Sequence, residues 1–251
     1  MRRTASAVAL ALVLPLAACG GDADDQKVTV LAAASLTETF TELAEVFEDE
    51  HPGVDVELVF GSSTTLAEQA ADGAPGDVLA TADERSMDVA VDGGVTSGQP
   101  ETFALNELVI VTPPGNPADV AGLGSLARDG VDWARCVSSA PCGALADSAL
   151  ARRASQAEPV TEEVDVKAVL ARVVAGEVDA GLVYRTDALA AGDDVQTVEA
   201  EPAAPSTIYE IAALGGNAAA AEFVELVLSD EGQAVLHDAG FEKPRIFGNA
   251  E

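Results

Sequence analysis

The chain has 251 residues with a hydrophobic share of 48% and only 4% aromatics, so it can bury a sizeable core built mainly from Val, Leu, Ile and Ala. Its 13 basic and 43 acidic residues give a formal net charge of −30. That balance, with no basic stripe, excludes nucleic-acid binding, which needs Lys and Arg clustered against phosphates.

The chain begins MRRTASAVALALVLPLAACGG. Arg2 and Arg3 form a charged start, residues 7–16 an apolar run, and small residues follow, the pattern of a secretory signal peptide. The run is too short to span a bilayer, which takes roughly 20 residues. Its end, Leu16-Ala17-Ala18-Cys19, resembles the lipobox of bacterial lipoproteins. That resemblance implies cleavage before Cys19 and a lipid on its thiol, anchoring an exported chain to the outer face of the cell membrane. Residues 1–18 are then the signal peptide, and 19–26 an acidic spacer between membrane and domain.

Strands and helices alternate from there. Residues 27–33 (KVTVLAA) read as a buried strand, and Ser35 opens a helix through a capping box with Glu38. Leu36, Phe40, Leu43, Ala44 and Phe47 follow as one apolar stripe at helical spacing. Pro52-Gly53 ends it, and 54–60 (VDVELVF) is the next strand. Ser62-Ser63-Thr64-Thr65 hands over to a helix at 66–71, 78–82 is a third strand and 84–91 a short helix. The long apolar strand 105–112 stops at Pro113-Pro114-Gly115. Beyond it come a strand at 134–138, helices at 144–155 and 166–175, and a strand at 180–184. A Pro-rich connector (199–206), a strand at 207–214 and helices at 218–228 and 231–239 close the chain. Repeated βα units predict an α/β fold with mainly parallel sheets flanked by helices. Two long strands bracketing the central series suggest two lobes, 27–107 with 207–251 and 108–206, with the ligand between them.

If Cys19 carries lipid, Cys136 and Cys142 are left in an oxidising compartment, which favours a disulfide; two buried thiols are the other reading. His51 and His237 are the only histidines, and both read as surface residues too isolated for a zinc site.

Chemistry concentrates at the strand-to-helix junctions. Ala33-Ala34-Ser35-Leu36 and Gly61-Ser62-Ser63-Thr64 each put small hydroxyl residues at a helix N-terminus, where free N–H groups and the helix dipole suit an anion. Either could be a simple N-cap. Together, in neighbouring βα units, they bring two helix ends to one sheet edge, which favours a ligand. The acidic surface does not forbid this, since charges beyond about 8 Å are largely screened at physiological salt.

Six motifs in order carry a more specific resemblance: AAASL (32–36), SSTTLA (62–67), GAPGDVLATAD (73–83), ALNELVIVTP (104–113), PCGALADSAL (141–150) and AGLVYRTDAL (180–189). Across essentially the whole mature chain the sequence resembles the periplasmic molybdate-binding protein family. The resemblance implies a two-lobed periplasmic binding protein of the second topological type. Its ligand would be molybdate or tungstate, with no cofactor, held by neutral donors. Ser35 and Ser63 would donate hydroxyl and backbone N–H, Cys142 and Val166 backbone N–H alone, and Tyr184 its phenol. Molybdenum would be bound only as the oxyanion. The Cys142 position is commonly Ala in the family, so the sequence departs from the usual pattern around Cys136 and Cys142. Asp77 and Asp83 read as turn and cap residues, because an acid against an oxyanion is unfavourable.

The implied partners are ABC permease subunits with their cytoplasmic ATPase, the binding protein itself being a monomer. Sulfate or phosphate is the alternative ligand. Sulfate is smaller than molybdate and leaves donors unsatisfied, at about 1–3 kcal/mol each. A secreted hydrolase is remote, because the chain has no GxSxG elbow. The effector domain of a transcription regulator shares the topology, but here a signal peptide stands in place of any DNA-binding module.

Overall fold

The computed structural model describes residues 26–152, 157–200 and 206–244. The signal-peptide and Cys19 assignments, and residues 201–205 of the Pro-rich connector, lie outside the described residues.

The first half runs β1 (Gln26–Ala33), α1 (Thr37–Glu50), β2 (Val54–Gly61), α2 (Ser63–Ala71), β3 (Val78–Thr81), α3 (Glu84–Asp92) and β4 (Glu101–Thr112). Next come β5 (Trp133–Cys136), α4 (Pro141–Arg152), β6 (Thr161–Glu163), α5 (Val166–Val174), β7 (Ala180–Tyr184), α6 (Arg185–Ala191) and β8 (Gln196–Glu199). Then β9 (Ser206–Ala213), α7 (Ala218–Leu228) and α8 (Asp230–Asp238) close the fold.

Strand character follows position in the sheet. β1 is sandwiched between β2 and β3 in parallel register, and its Val28, Val30, Ala32 and Ala33 are buried. Its continuous apolar run is the signature of a parallel strand covered on both faces. β2 lies at the sheet edge and alternates half-buried with exposed residues. The apolar stripe of α1 buries Phe40, Leu43, Ala44 and Phe47, and Phe40 meets the rings of Phe103 and Phe223 at 6.0 and 5.9 Å.

Two lobes emerge from the pairing, ordered β2-β1-β3-β9-β4-β7-β5-β6 with β8 also on β4. In each, three parallel strands are completed by antiparallel pairing with β9 or β4. β4 serves both. Glu101 to Glu107 pair with β9, whereas Leu108 to Thr112 pair with β7 and β8.

Several boundaries differ from the sequence expectations. Gln26, assigned to the spacer, is already in β1, because its N–H donates to Gly53 O at 2.8 Å. α2 starts at Ser63 rather than 66, and α4 at Pro141 rather than 144. Proline suits a first helical position, where no N–H is needed. β6, α6 and β8 were not anticipated.

Candidate ligand-binding site

Each expected donor sits where a strand hands over to a helix. Ser35 lies in a 3-10 turn (Ala34–Leu36) between β1 and α1. Ser63 is the first residue of α2, Cys142 the second of α4 and Val166 the first of α5, while Tyr184 ends β7 and immediately precedes α6. N–H groups in a first helical turn have no partner within their own helix, so these ends converge as free donors with positive dipole ends.

All five residues line one cavity of about 20 Å³ between the lobes. A single water needs roughly 10–15 Å³ on that scale, so the space suits a compact ion, not a sugar or peptide. Among the described residues, no Lys or Arg lines it.

The side chains divide by how they are held. Ser63 Oγ accepts from Ala82 N–H at 3.0 Å, leaving its own proton free. Ser35 Oγ lies 2.7 Å from the Tyr209 hydroxyl. The Tyr184 hydroxyl is buried and has no hydrogen-bond partner among the described residues. Burial also pushes the Tyr184 pKa well above that of a free phenol, with Tyr209, Asp83 and Asp187 adding to the effect, so it remains a neutral donor. An orphaned phenol costs stability unless a ligand accepts from it.

Asp165 also lines the cavity, yet its carboxylate is turned to cap α5, accepting from Ala168 N–H at 2.9 Å. Asp83 caps α3 in the same way, accepting from Ser86 N–H at 3.0 Å. Asp77, just ahead of β3, ties β1 to the start of α7 instead, accepting from Thr29 N–H at 2.8 Å and from Asn217 Nδ2 at 3.0 Å.

Cys136 and Cys142 are joined in a disulfide with Cα atoms 5.8 Å apart, closing the β5–α4 loop beside the cavity. The loop is pinned independently: Val137 N–H donates to Glu163 O at 2.9 Å. A Cβ on Gly143 would fall 1.9 Å from Val137 O, so only glycine lets the α4 N-terminus approach this closely.

Contacts also run directly across the cleft. Thr64 Oγ1 and Arg85 Nη2 both donate to Ser139 O, at 2.8 and 2.9 Å. Lys167 Nζ reaches both Glu38 carboxylate oxygens at 2.7 and 2.8 Å, and lies 3.1 Å from Asp187 Oδ1. Asp187 is fully buried, and burial pushes its pKa up to about 6 against the opposing pull of Lys167.

The structure therefore corrects the expected capping box. Neither Ser35 nor Glu38 caps α1, whose N-cap is Leu36 with no side-chain bond. The Ser35 hydroxyl is engaged by Tyr209 and Glu38 by Lys167. His51 is not a plain surface residue either, since its ring stacks on Phe47 at 4.0 Å. His237 is exposed as expected. Sequence reasoning missed Tyr209, Asn106, Asp165 and Lys167. Only Asp165 left a local sign, an Asp just ahead of a helical run.

Paired α/β lobes with a small donor-lined cavity between them define a periplasmic binding protein fold. The chain belongs to the bacterial extracellular solute-binding protein family, whose model matches residues 28–242. It is 37% identical to the molybdate-binding protein ModA of Mycobacterium tuberculosis, over 94% of this chain and 96% of that one. The periplasmic molybdate-binding protein of Azotobacter vinelandii has a similar structure, with TM-score 0.77 and 23% identity over 87% of this chain and 100% of that one. The sulfate-binding protein SubI of M. tuberculosis H37Rv is as similar in shape, with TM-score 0.78 and 19% identity over 88% of each chain. At those identities both structural likenesses show the fold alone.

Proposed function

We propose that this chain is the extracytoplasmic binding component of an ABC importer, and that it captures molybdate or tungstate between its lobes. The observation carrying this reading is the Tyr184 hydroxyl, unpartnered among the described residues, beside a small cavity fed by helix N-termini and lined by no described Lys or Arg. Such a site is dominated by neutral donors. It suits a fully ionised tetrahedral oxyanion, whose charge neutral N–H and O–H groups stabilise once water is excluded. The M. tuberculosis relative, named for molybdate, supports the choice of ligand.

In this reading Ser35 and Ser63 donate hydroxyl and backbone N–H, Cys142 and Val166 backbone N–H, and Tyr184 its phenol. One lobe comprises 27–107 with 207–251 and the other 108–206; the partner switch of β4 between Glu107 and Leu108 supports that division. Partners are the permease and its ATPase, no cofactor is needed, and the monomer is tethered by lipid on Cys19. Catalysis has no support in the cavity, where Ser35 and Ser63 bond to Tyr209 and a backbone N–H rather than to a general base.

Sulfate is the second reading, since it too is a tetrahedral dianion that neutral N–H and O–H donors can hold. Calorimetric titration of the purified soluble domain with molybdate, tungstate, sulfate and phosphate decides between them. Molybdate and tungstate are expected to bind within about tenfold of each other, a difference of roughly 1.4 kcal/mol, and sulfate far more weakly. Equal binding of sulfate overturns the assignment.

A further inference from the structure

Ser35 can serve an anion only if its single proton points into the cavity, and its contact with Tyr209 could take that proton away. Either hydroxyl could donate across the 2.7 Å between them. The neighbours of Tyr209 break the tie. Asn106, on β4, lies beside Tyr209, on β9, with its Nδ2 3.4 Å from the Tyr209 oxygen. The orientation of the Asn106 amide is itself fixed, because Oδ1 accepts from Glu107 N–H at 2.9 Å. Its Nδ2 also donates to Thr186 Oγ1 at 2.8 Å. An amide nitrogen can only donate, so the Tyr209 oxygen is the acceptor of that long contact. The one proton of Tyr209 is then left for Ser35 Oγ, and the Ser35 proton for the cavity.

Burial makes this ordering matter. Ser35, Asn106 and Tyr209 are 4%, 2% and 0% exposed. In so dry a place each donor needs an acceptor, and reversing one hydroxyl leaves another group unpaired. Burial also raises the Tyr209 pKa far above that of a free phenol, so it keeps its proton at ordinary pH.

We infer that Tyr209, oriented by Asn106, is a positioning residue that turns the Ser35 hydroxyl into a dedicated donor to the bound anion. This rests on the reading of Ser35 as an anion ligand given above. Tyr209 need not touch the ligand, and it acts from the crossing strand β9 rather than from a helix end.

A double-mutant cycle in the otherwise intact soluble domain, read by molybdate titration, tests it. Tyr209→Phe alone is expected to weaken molybdate roughly three- to tenfold, the range of one hydrogen bond. In a Ser35→Ala background the same change is expected to cost less than about twofold, because coupled residues are not additive. In a Ser63→Ala background it should keep its full effect. An equal loss in all three backgrounds, or none in any, overturns the inference. If Ser35→Ala alone binds like wild type, the assignment of Ser35 as a ligand fails, and the positioning role falls with it. Thermal unfolding without ligand accompanies each variant; equal loss of binding and of apo stability across Tyr209→Phe, with no coupling to Ser35, marks a purely structural role and also overturns the inference.

Discussion

The two lobes meet the cavity with donors prepared in different ways. In the lobe of β1 and β2, both serine hydroxyls are already held by protein partners, Ser35 by Tyr209 and Ser63 by Ala82 N–H. In the lobe of β7, the Tyr184 hydroxyl has no partner among the described residues, and Cys142 and Val166 lie in first helical turns, where the N–H groups have no partner within their own helix. The first lobe aims its donors before ligand arrives, whereas the second keeps a buried donor in deficit. On the proposed site, affinity from Ser35 and Ser63 is therefore entangled with stability, while that from Tyr184 is not.

Ser63→Ala should separate the lobes most strongly. It removes a donor to the ligand, costing about 1–3 kcal/mol of binding, and strands the buried Ala82 N–H, costing about 1–3 kcal/mol of stability. Titration and denaturant unfolding without ligand should both register the loss; intact apo stability would contradict the preorganised role. Tyr184→Phe should lose a similar 1–3 kcal/mol of binding but leave apo stability unchanged or slightly raised, since it deletes an orphaned group. A clear fall in its apo unfolding midpoint would show that the hydroxyl has a structural partner.

A third effect, seen only as pH changes, concerns Asp187, behind Tyr184, whose N–H donates to Asp187 Oδ2 at 3.3 Å. Burial raises this carboxyl from 3.8 to about 6. Between those values the folded chain binds more protons than the unfolded one, so this group's contribution to stability is full below the lower value and is lost as pH rises through about 6. Wild type should accordingly lose stability relative to Asp187→Asn as pH rises from about 4 to about 6. Paired unfolding curves at those pH values check this, and a gap that stays constant refutes the attribution.

Much of this arrangement is legible from the sequence because its signals are local. A mainly apolar run marks β1 and β7, helical spacing of Phe40, Leu43 and Phe47 marks α1, and small hydroxyl residues after strands mark two cavity corners. The misreadings share a long-range cause. Ser35 with Glu38 fits a capping box until Tyr209, 174 residues away, engages the serine and Lys167, 129 residues from Glu38, engages the acid. β6 has three residues, Thr161–Glu163, with no apolar alternation to read, and it exists because β5 offers it an edge. Tyr209 sits in a strand pattern that calls for an apolar residue, so nothing nearby announces that its hydroxyl serves a site.

The shared strand β4 bears on speed. Its first part is laddered to β9 and its last part to β7 and β8, each within one lobe. A rotation of the lobes can be absorbed as a twist around Glu107 and Leu108 without unzipping either ladder. What must break for the ligand to leave is a handful of side-chain contacts, Lys167 to Glu38 and Thr64 and Arg85 to Ser139 O. The first is a partly exposed ion pair, worth roughly 0–1 kcal/mol, and the other two are hydrogen bonds to a backbone carbonyl, worth about 0.5–1.5 kcal/mol each. Without ligand, opening has only these contacts to break, whereas an anion gripped from both lobes adds one lobe's donor bonds to the barrier, so the empty protein parts its lobes quickly and the loaded one slowly.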